Sequence, residues 1–362
     1  MNCGRMEERI GQTLQSRRCD LATARRCRWL QSLVAALLLF QLFQQPAAAQ
    51  GTVAFYFAAH EDDWQLFMNP DAYDDVHSPT TKVVFVYVTA GDAGAGSGNA
   101  GRSRPYYLAR ENGAKLSVMF MADGERAPAR DETSTATVFG HAVLRWAYRN
   151  TVSYFLRLPD GNMDGMGYEG TGWQSLQRLH QAELSSIEAV DGSAIYRGWN
   201  DLAATLRDVI ANERQTAEAV WINIPDPDAS RNGSDHSDHR HVAAAVLDAV
   251  ADMPCINRAL YLDYAAAGLA ENLTTTEREV KAATFAATAL GVNAFDHAGN
   301  WDTLHRRLLS RRYVQRIPAI PPCQDAVSRN RAPCGLGRGS LHSTELAPVS
   351  PHASVDSSPR ND

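Results

Sequence analysis

The sequence lacks three features that would each point to a particular class of protein. Its 362 residues include only six cysteines, too few for a disulfide scaffold. Lysine and arginine number 35 against 41 acidic residues, and this net charge of −6 argues against a nucleic-acid-binding protein. No stretch reaches the roughly 18–20 continuous apolar residues of a clear membrane span. What remains is an ordinary globular composition, 44% hydrophobic and 21% charged.

The first 49 residues differ from the rest of the chain. They contain seven arginines, no lysine and three acidic residues, followed by a short apolar run over 29–43 and three alanines at 47–49. This order is typical of a secretory signal peptide, so we expect cleavage after Ala49, with an uncleaved N-terminal anchor as the alternative. It predicts a secreted, periplasmic or cell-envelope protein without a stable membrane span after cleavage.

The last 40 residues lose the apolar periodicity seen before them. Serine, proline, glycine and arginine dominate 323–362, and such a segment buries too little apolar surface to offset the entropy of ordering it. We therefore expect a disordered tail there and one folded domain over 50–322. Cys323 and Cys334 lie close enough in sequence to pair in an oxidising compartment, but spacing alone does not establish a disulfide.

Between these ends, short apolar runs alternate with helical patterns. Runs rich in β-branched and aromatic residues predict buried strands at 53–58, 82–88, 152–158, 219–224 and 259–264. Amphipathic patterns predict helices at 106–119, 198–210 and 239–250. The alternation predicts an α/β fold with a doubly wound, mostly parallel sheet. Ligands in such sheets bind beyond the carboxyl ends of the strands, which directs attention to the loops that follow them.

Two of those loops concentrate histidine and aspartate. The first strand runs into His60, Asp62 and Asp63, and the fourth is followed by His236 and His239 with Asp238 between them. A histidine and a carboxylate from one loop, with a histidine from the other, supply three ligands of a catalytic zinc site. The remaining aspartate of the pair then serves as general base, and the remaining histidine as acid or oxyanion stabiliser. Each cluster alone has a simpler explanation as a helix cap or a polar loop, so their joint placement favours the metal site.

These residues resemble a known family. His60-x-Asp62-Asp63 after a hydrophobic strand, with His236-x-Asp238-His239 far downstream, is similar to the motifs of the PIG-L/LmbE-like de-N-acetylases. The stretches 89–92, 110–111 and 158–162 also fit, and the resemblance covers most of 51–315. The chain departs from the family pattern at three positions. Glu61 and Ser237 stand where the family has proline, and Trp64 stands where the family has glutamate.

The resemblance implies a role for each matching residue. It implies a Rossmann-like fold with one Zn²⁺, or alternatively Fe²⁺, on three ligands: His60, Asp63 and His239. It implies that Asp62 is the general base, that His236 stabilises the tetrahedral intermediate and that Asp238 orients His236. Arg110 is the expected substrate-binding residue. We add two aspartates that follow predicted strands to the substrate-binding set, Asp92 and Asp160.

The implied reaction is metal-dependent hydrolysis of the N-acetyl group of an N-acetylglucosamine-type conjugate, releasing acetate and a free amine. The implied partner is an acetylated amino sugar in a glycan or a glycosylated metabolite. A zinc hydrolase of another amide or ester and a non-catalytic carbohydrate-binding protein are the alternatives. The tryptophans include candidate sugar-stacking faces, although tryptophan is more often a core residue; the four considered are Trp173, Trp199, Trp221 and Trp301.

Overall fold

Ten strands are present in a computed structural model that describes residues 51–319. They are β1 (Thr52–Ala58), β2 (Thr81–Thr89), β3 (Glu132–Val138), β4 (His141–Tyr148), β5 (Thr151–Leu158), β6 (Ile187–Glu188), β7 (Ile195–Tyr196), β8 (Ala219–Pro225), β9 (Ile256–Tyr261) and β10 (Val314–Ile317). Eight of them form one sheet in the order β10-β9-β8-β1-β2-β5-β4-β3, while β6 and β7 pair separately. The five central strands pair in parallel, while β10 at one edge and β4 and β3 at the other pair antiparallel, which confirms the predicted mostly parallel α/β fold.

Helices cover both faces of this sheet. They are α1 (Asp71–His77), α2 (Tyr106–Asp123), α3 (Leu176–His180), α4 (Trp199–Arg214), α5 (Ser237–Val250), α6 (Thr275–Asn293) and α7 (Thr303–Leu308). Alternate side chains of β1 enter two separate cores, one shared with α4 and α5 and the other with α2 and α6. Burial on both faces explains why the central strands read as continuous apolar runs. Within residues 51–319, no helix has both the length and the apolar character needed to cross a membrane.

The order of the strands places a crevice at the carboxyl end of β1. In the strand order, the chain runs from β1 to β2 and β5 on one side of β1, and then returns to β8 and β9 on the other side of β1. Loops that leave β1 and β8 diverge at this reversal, which is where open α/β sheets bind their ligands. The two histidine- and aspartate-rich loops follow these two strands.

The hairpin of β3 and β4 was not predicted. The β3 strand is rich in threonine and serine and mostly exposed, so it carries little of the apolar signal used for the other strands. Its turn, at Phe139 and Gly140, has φ values of 46° and 85°. Two consecutive positive φ values are typical of the tight turns whose twist matches that of a hairpin.

The predicted fifth strand, at 259–264, is wrong in position. The observed β9 ends at Tyr261, opposite the last β8 residue, Pro225, because the parallel ladder stops where β8 stops. Asp263 therefore lies in the loop beyond the strand. This shift of three residues adds an aspartate to the edge of the sheet that holds the other candidate site residues.

Helix α6 was also missed, although it begins with a complete capping box formed by Thr274 and Glu277. Its sequence is dominated by alanine and threonine, so its apolar stripe is weak. It is buried by close approach to α2 instead: a Cβ on Gly291 would lie 2.6 Å from the Cα of Gly113. This contact between two glycines brings the C-terminal part of the fold against the loop that follows β1.

Three predictions fall outside the described residues. They are the signal peptide at 1–49, the tail at 323–362 and the pairing of Cys323 with Cys334. The boundaries of the folded domain at 50 and 322 lie just beyond the described range. All of these remain predictions.

Candidate metal centre and active site

Three of the predicted site residues converge on one point. The closest approaches are 3.2 Å between His239 Nε2 and Asp63 Oδ1, 3.3 Å between His239 Nε2 and His60 Nδ1, and 3.4 Å between His60 Nδ1 and Asp63 Oδ1. All three side chains are buried, and His239 is completely so. They form one of the groups among the described residues that are able to hold a metal ion.

The triangle has the size that a tetrahedral zinc site requires. Bonds of about 2.0–2.2 Å to nitrogen and oxygen set neighbouring ligand atoms about 3.3–3.6 Å apart at the corners of a tetrahedron. The observed edges of 3.2–3.4 Å agree with this spacing. The donor set of two imidazoles and one carboxylate is also one that catalytic zinc uses. The residues therefore fit a divalent metal of the zinc type.

Two carboxylates support His239 from behind. Its Nδ1 lies 2.8 Å from Asp235 Oδ1 and 3.1 Å from Asp263 Oδ2, and both aspartates are buried. Burial alone lowers the pKa of His239, but Asp235 and Asp63 outweigh it and raise the pKa well above its usual range. A carboxylate on the far nitrogen fixes the ring and its tautomer, and leaves Nε2 to face a metal.

The loop after β1 orients His60 and Asp63 together. The carboxylate of Asp63 folds back so that Oδ2 accepts the backbone N–H of His60 at 2.7 Å, while Oδ1 faces the two imidazoles. Burial raises the pKa of Asp63, but His239 and His60 together hold it well below its usual range. On the other side of His60, buried Nε2 has no hydrogen-bond partner among residues 51–319 and lies 3.5 Å from Asp238 Oδ2.

The carboxylate of Asp62 is not one of the three groups of the triangle and is held by two hydrogen bonds from other parts of the chain. Its Oδ1 accepts a hydrogen bond from Arg110 Nη2, and its Oδ2 accepts one from Asn300 Nδ2 at 2.7 Å. Arg110 also donates from Nε to Glu61 Oε2 at 3.0 Å and contacts the Tyr106 hydroxyl. The expected substrate-binding arginine is thus buried and engaged by two carboxylates of the chain itself.

Glu61, which stands where the family pattern has proline, is buried against Arg110 and belongs to none of the metal-holding groups among the described residues. Burial raises the pKa of Glu61 to about 8, against the lowering effect of Arg110. The departure from the family pattern therefore adds a contact that holds the arginine, and it does not add a metal ligand.

His236 stands at the N-terminus of α5 and faces His60. Its Nδ1 accepts the backbone N–H of Asp238 at 3.1 Å, so a neutral ring carries its proton on Nε2. Burial and His60 lower the pKa of His236 to about 4, which keeps the ring neutral near pH 7. His236, not Asp238, is thus the residue that caps this helix.

Two aspartates from different loops, Asp238 of the downstream cluster and Asp160 after β5, lie close to both His60 and His236. The carboxylate of Asp238 accepts the backbone N–H of Gly161 at 2.8 Å and is nearer to His60 Nε2, at 3.5 Å, than to His236 Nδ1, at 3.8 Å. Asp160 lies 3.7 Å from His236 Nε2 and 3.9 Å from His60 Nε2. The structure therefore brings Asp160 to the site, and it places the Asp238 backbone, more than its carboxylate, against His236.

Asp92 is placed differently from the other predicted substrate-binding residues. It is completely buried, and its two oxygens accept the backbone N–H groups of Gly96 and Asp160 at 2.7 and 2.9 Å. Its carboxylate ties the loop after β2 to the loop after β5. In this arrangement Asp92 fixes the position of Asp160.

Sequence reasoning missed three residues that touch the site: Asp235, Asp263 and Asn300. Asp235 directly precedes His236 and lay within the region that was singled out, so the spacing of one helical turn to His239 was an available signal. Asp263 was assigned to a strand, and Asn300 lies 238 residues from its partner Asp62 in a loop without any motif.

Comparison with known proteins agrees with this geometry. Residues 55–250, more than half of the chain, match the family model described as PIG-L: GlcNAc-PI de-N-acetylase. The matched region contains the three residues of the triangle together with Asp62, Arg110 and His236. Comparison with curated proteins and with solved structures gives no match. The extent of the family match, on a fold and a cluster that fit it, shows that the chain belongs to the PIG-L family.

Proposed function

We propose that this protein hydrolyses the N-acetyl group of an N-acetylglucosamine-type sugar conjugate, with one divalent metal ion, Zn²⁺ or alternatively Fe²⁺, held by three residues. The observation that carries the proposal is the triangle of His60, Asp63 and His239, whose edges of 3.2–3.4 Å match a tetrahedral site. Membership of a family described as GlcNAc-PI de-N-acetylase supports the choice of bond and of sugar.

The metal, when bound, would supply Lewis-acid chemistry to the amide carbonyl and to a water molecule at the triangle. Asp63 and the two histidines would hold it by the three atoms that already converge. Asp235 and Asp263 fix the ring of His239, and Asp238 lies on the far nitrogen of His60. These partners leave the ligands little freedom, which pre-organises the site.

Asp62 would act as the general base. It takes a proton from the water that attacks the amide carbon and delivers a proton to the amine as the C–N bond breaks, so acetate and a free amino group result. The hydrogen bonds from Arg110 and Asn300 occupy one lone pair on each oxygen and hold the carboxylate in place. A second lone pair on each oxygen remains available to accept the proton.

His236 would stabilise the negative charge that develops on the carbonyl oxygen. Its Nδ1 is occupied by the backbone N–H of Asp238, so the N–H at Nε2 is the group available to the substrate. The lowered pKa, about 4, means that this donor is present across the neutral range. A fixed donor in a site sheltered from water contributes more than the same hydrogen bond in solvent.

Two alanine substitutions test which aspartate of the pair is the general base and which is the metal ligand. Asp62→Ala should lower kcat by about 100-fold or more while the purified protein keeps its metal, because general-base catalysis is lost and the triangle is intact. Asp63→Ala should lose the metal and the activity together. Asp164→Ala removes an exposed carboxylate from the loop after β5 and serves as the control for both. Metal loss in Asp62→Ala with retention in Asp63→Ala would reverse the assignment.

The reaction itself is tested by metal analysis of the protein followed by acetate release from N-acetylglucosamine conjugates. Metal binding with acetate release supports the proposal. Bound metal without acetate release would favour a hydrolase of another amide or an ester. Absence of both metal and acetate release would favour a carbohydrate-binding protein.

We also propose that the enzyme is exported. The proposal rests on the basic and apolar sequence of residues 1–49, which ends in three alanines. N-terminal sequencing of the protein recovered from a cell fractionation should give a chain that starts at Gln50 outside the cytoplasm. A chain that stays in the cytoplasm with residues 1–49 attached would contradict export.

A further inference from the structure

An exposed tryptophan stands beside the proposed catalytic carboxylate. Trp301 is 42% exposed, and it directly follows Asn300, whose amide donates to Asp62 Oδ2 at 2.7 Å. The Cα atoms of consecutive residues lie about 3.8 Å apart, so the indole starts within a few ångströms of the group that holds Asp62. Among the four candidate tryptophans, Trp301 is the one whose neighbour in the chain, Asn300, contacts Asp62.

The indole is held in a fixed orientation by the protein beneath it. Its ring stacks on Phe285 of α6, with ring centroids 5.3 Å apart and planes 19° from parallel. Phe285 is buried and, together with Asp62, Arg110 and Asn300, lines a recess between α2 and α6. One face of the indole thus packs on Phe285, while the residue as a whole stays 42% exposed.

The backbone that carries Trp301 is fixed as well. Gly299 donates its N–H to Asn293 Oδ1 at 2.8 Å, and a Cβ on Gly299 would lie 2.8 Å from the Cα of Ala289. Only glycine allows this approach, which seats the segment directly on α6. A ring fixed in this way loses little conformational freedom when a ligand stacks on it.

We propose that the free face of Trp301 binds the pyranose ring that carries the reacting acetamide. This inference rests on the proposed function. In an N-acetylglucosamine unit the acetamide is attached directly to a ring carbon, so a carbonyl placed near Asp62 brings the sugar ring to within a few ångströms of it. One face of the pyranose presents C–H groups, which pack against an aromatic surface. Aromatic side chains that line a site next to a few polar groups are typical of small-molecule recognition.

The test compares a sugar substrate with an acetamide that has no ring. Trp301→Ala should raise KM for N,N′-diacetylchitobiose about 10-fold with kcat within threefold, and should leave hydrolysis of N-acetylethanolamine unchanged. Trp301→Phe, which keeps an aromatic face, should restore KM to within threefold of the parent value. Trp173→Ala, which removes a tryptophan of similar exposure from another loop, is the matched control and should change neither substrate.

Binding of N,N′-diacetylchitobiose to the metal-free protein, measured by calorimetry, separates this inference from the proposed function. If the parent protein shows no deacetylation but Trp301→Ala weakens saccharide binding about 10-fold, the inference stands and the proposed reaction fails. If the parent protein deacetylates the saccharide and Trp301→Ala leaves both KM and binding unchanged, the inference is overturned and the reaction stands. A parent protein that does not bind the saccharide also overturns the inference.

Discussion

Replacing Asp235 by asparagine should weaken metal binding, although Asp235 does not face the metal. Its carboxylate accepts two hydrogen bonds, from His239 Nδ1 to Oδ1 and from Asn232 Nδ2 to Oδ2, both at 2.8 Å. In Asp235→Asn one of these oxygens becomes an NH₂ group. Whichever oxygen is replaced, the NH₂ group faces a donor, either His239 Nδ1 or Asn232 Nδ2. Asn232 cannot relieve the conflict by turning its own amide, because its Oδ1 already accepts the backbone N–H of Asp263.

The size of the effect follows from the bond that is lost. A buried hydrogen bond to a charged group contributes about 1.5–3 kcal/mol, which corresponds to about 10–150-fold in an equilibrium constant. Changes to groups behind a metal ligand typically cost about 10–100-fold in affinity, so the two estimates agree. Asp263 Oδ2 lies 3.1 Å from the same nitrogen and retains part of the support. The double variant Asp235→Asn/Asp263→Asn should therefore lose more affinity than Asp235→Asn alone.

The assay is a competition titration of Zn²⁺ between the protein and a chromophoric chelator at constant pH. Asp235→Asn is expected to raise the dissociation constant by about 10–100-fold. Asp226→Asn is the control, because Asp226 is a buried carboxylate of the same loop that pairs with Arg231 and not with His239. A dissociation constant within twofold of the parent value in Asp235→Asn, with normal folding, would refute the role of Asp235.

Three further substitutions test other parts of the fold. Asn300→Ala should lower kcat several-fold with metal content unchanged, as measured by steady-state kinetics and metal analysis, because Asp62 loses a hydrogen bond on one oxygen. Gly291→Ala should lower the free energy of unfolding by about 1–3 kcal/mol in a urea titration, since its Cβ would meet the backbone of Gly113, whereas Gly268→Ala, with open space around it, should not. Burial lowers the pKa of Lys281 to about 7, so the native state disfavours the charged form of this side chain. The free energy of unfolding of the parent protein should therefore fall by a few kcal/mol as pH drops from about 10 towards 7, whereas that of Lys281→Met should not show this fall. Equal pH slopes for the two proteins in denaturant titrations would contradict the last of these.

The motif half of the site, which consists of His60, Asp63 and His239, was predictable because each of these residues follows a strongly apolar strand. His60 and Asp63 come directly after β1, and His239 follows β8, so the rule that ligands bind at the carboxyl ends of parallel strands brings them together. The alternation of apolar runs with helical patterns similarly predicted the five parallel strands, with four of them within one or two residues. Only the position of β9 was wrong.

The contacts around that half were not predictable from local pattern. Asn300 reaches Asp62 from a loop without periodicity, and its neighbour Gly299 is seated on Ala289 of α6. Helix α6 in turn packs on α2 through Gly113 and Gly291, residues 178 apart in sequence. The orientation of Arg110 towards Glu61 and Asp62 likewise depends on how α2 lies against the loop after β1. Such long-range contacts have no signature in a single sequence, because neither partner has a local reason to occupy its position.

The site is therefore built from two parts of the chain that differ in what they contribute. The family match ends at residue 250 and includes every group proposed to hold the metal or move a proton. The segment beyond it supplies Asp263 behind His239, Asn300 on Asp62 and the stacked ring of Trp301. If this division is correct, substitutions beyond residue 250 should alter metal affinity, base orientation and sugar affinity one at a time, whereas substitutions in the matched motifs should abolish the reaction. Differences in substrate among relatives that share the motifs would then be expected in this C-terminal segment.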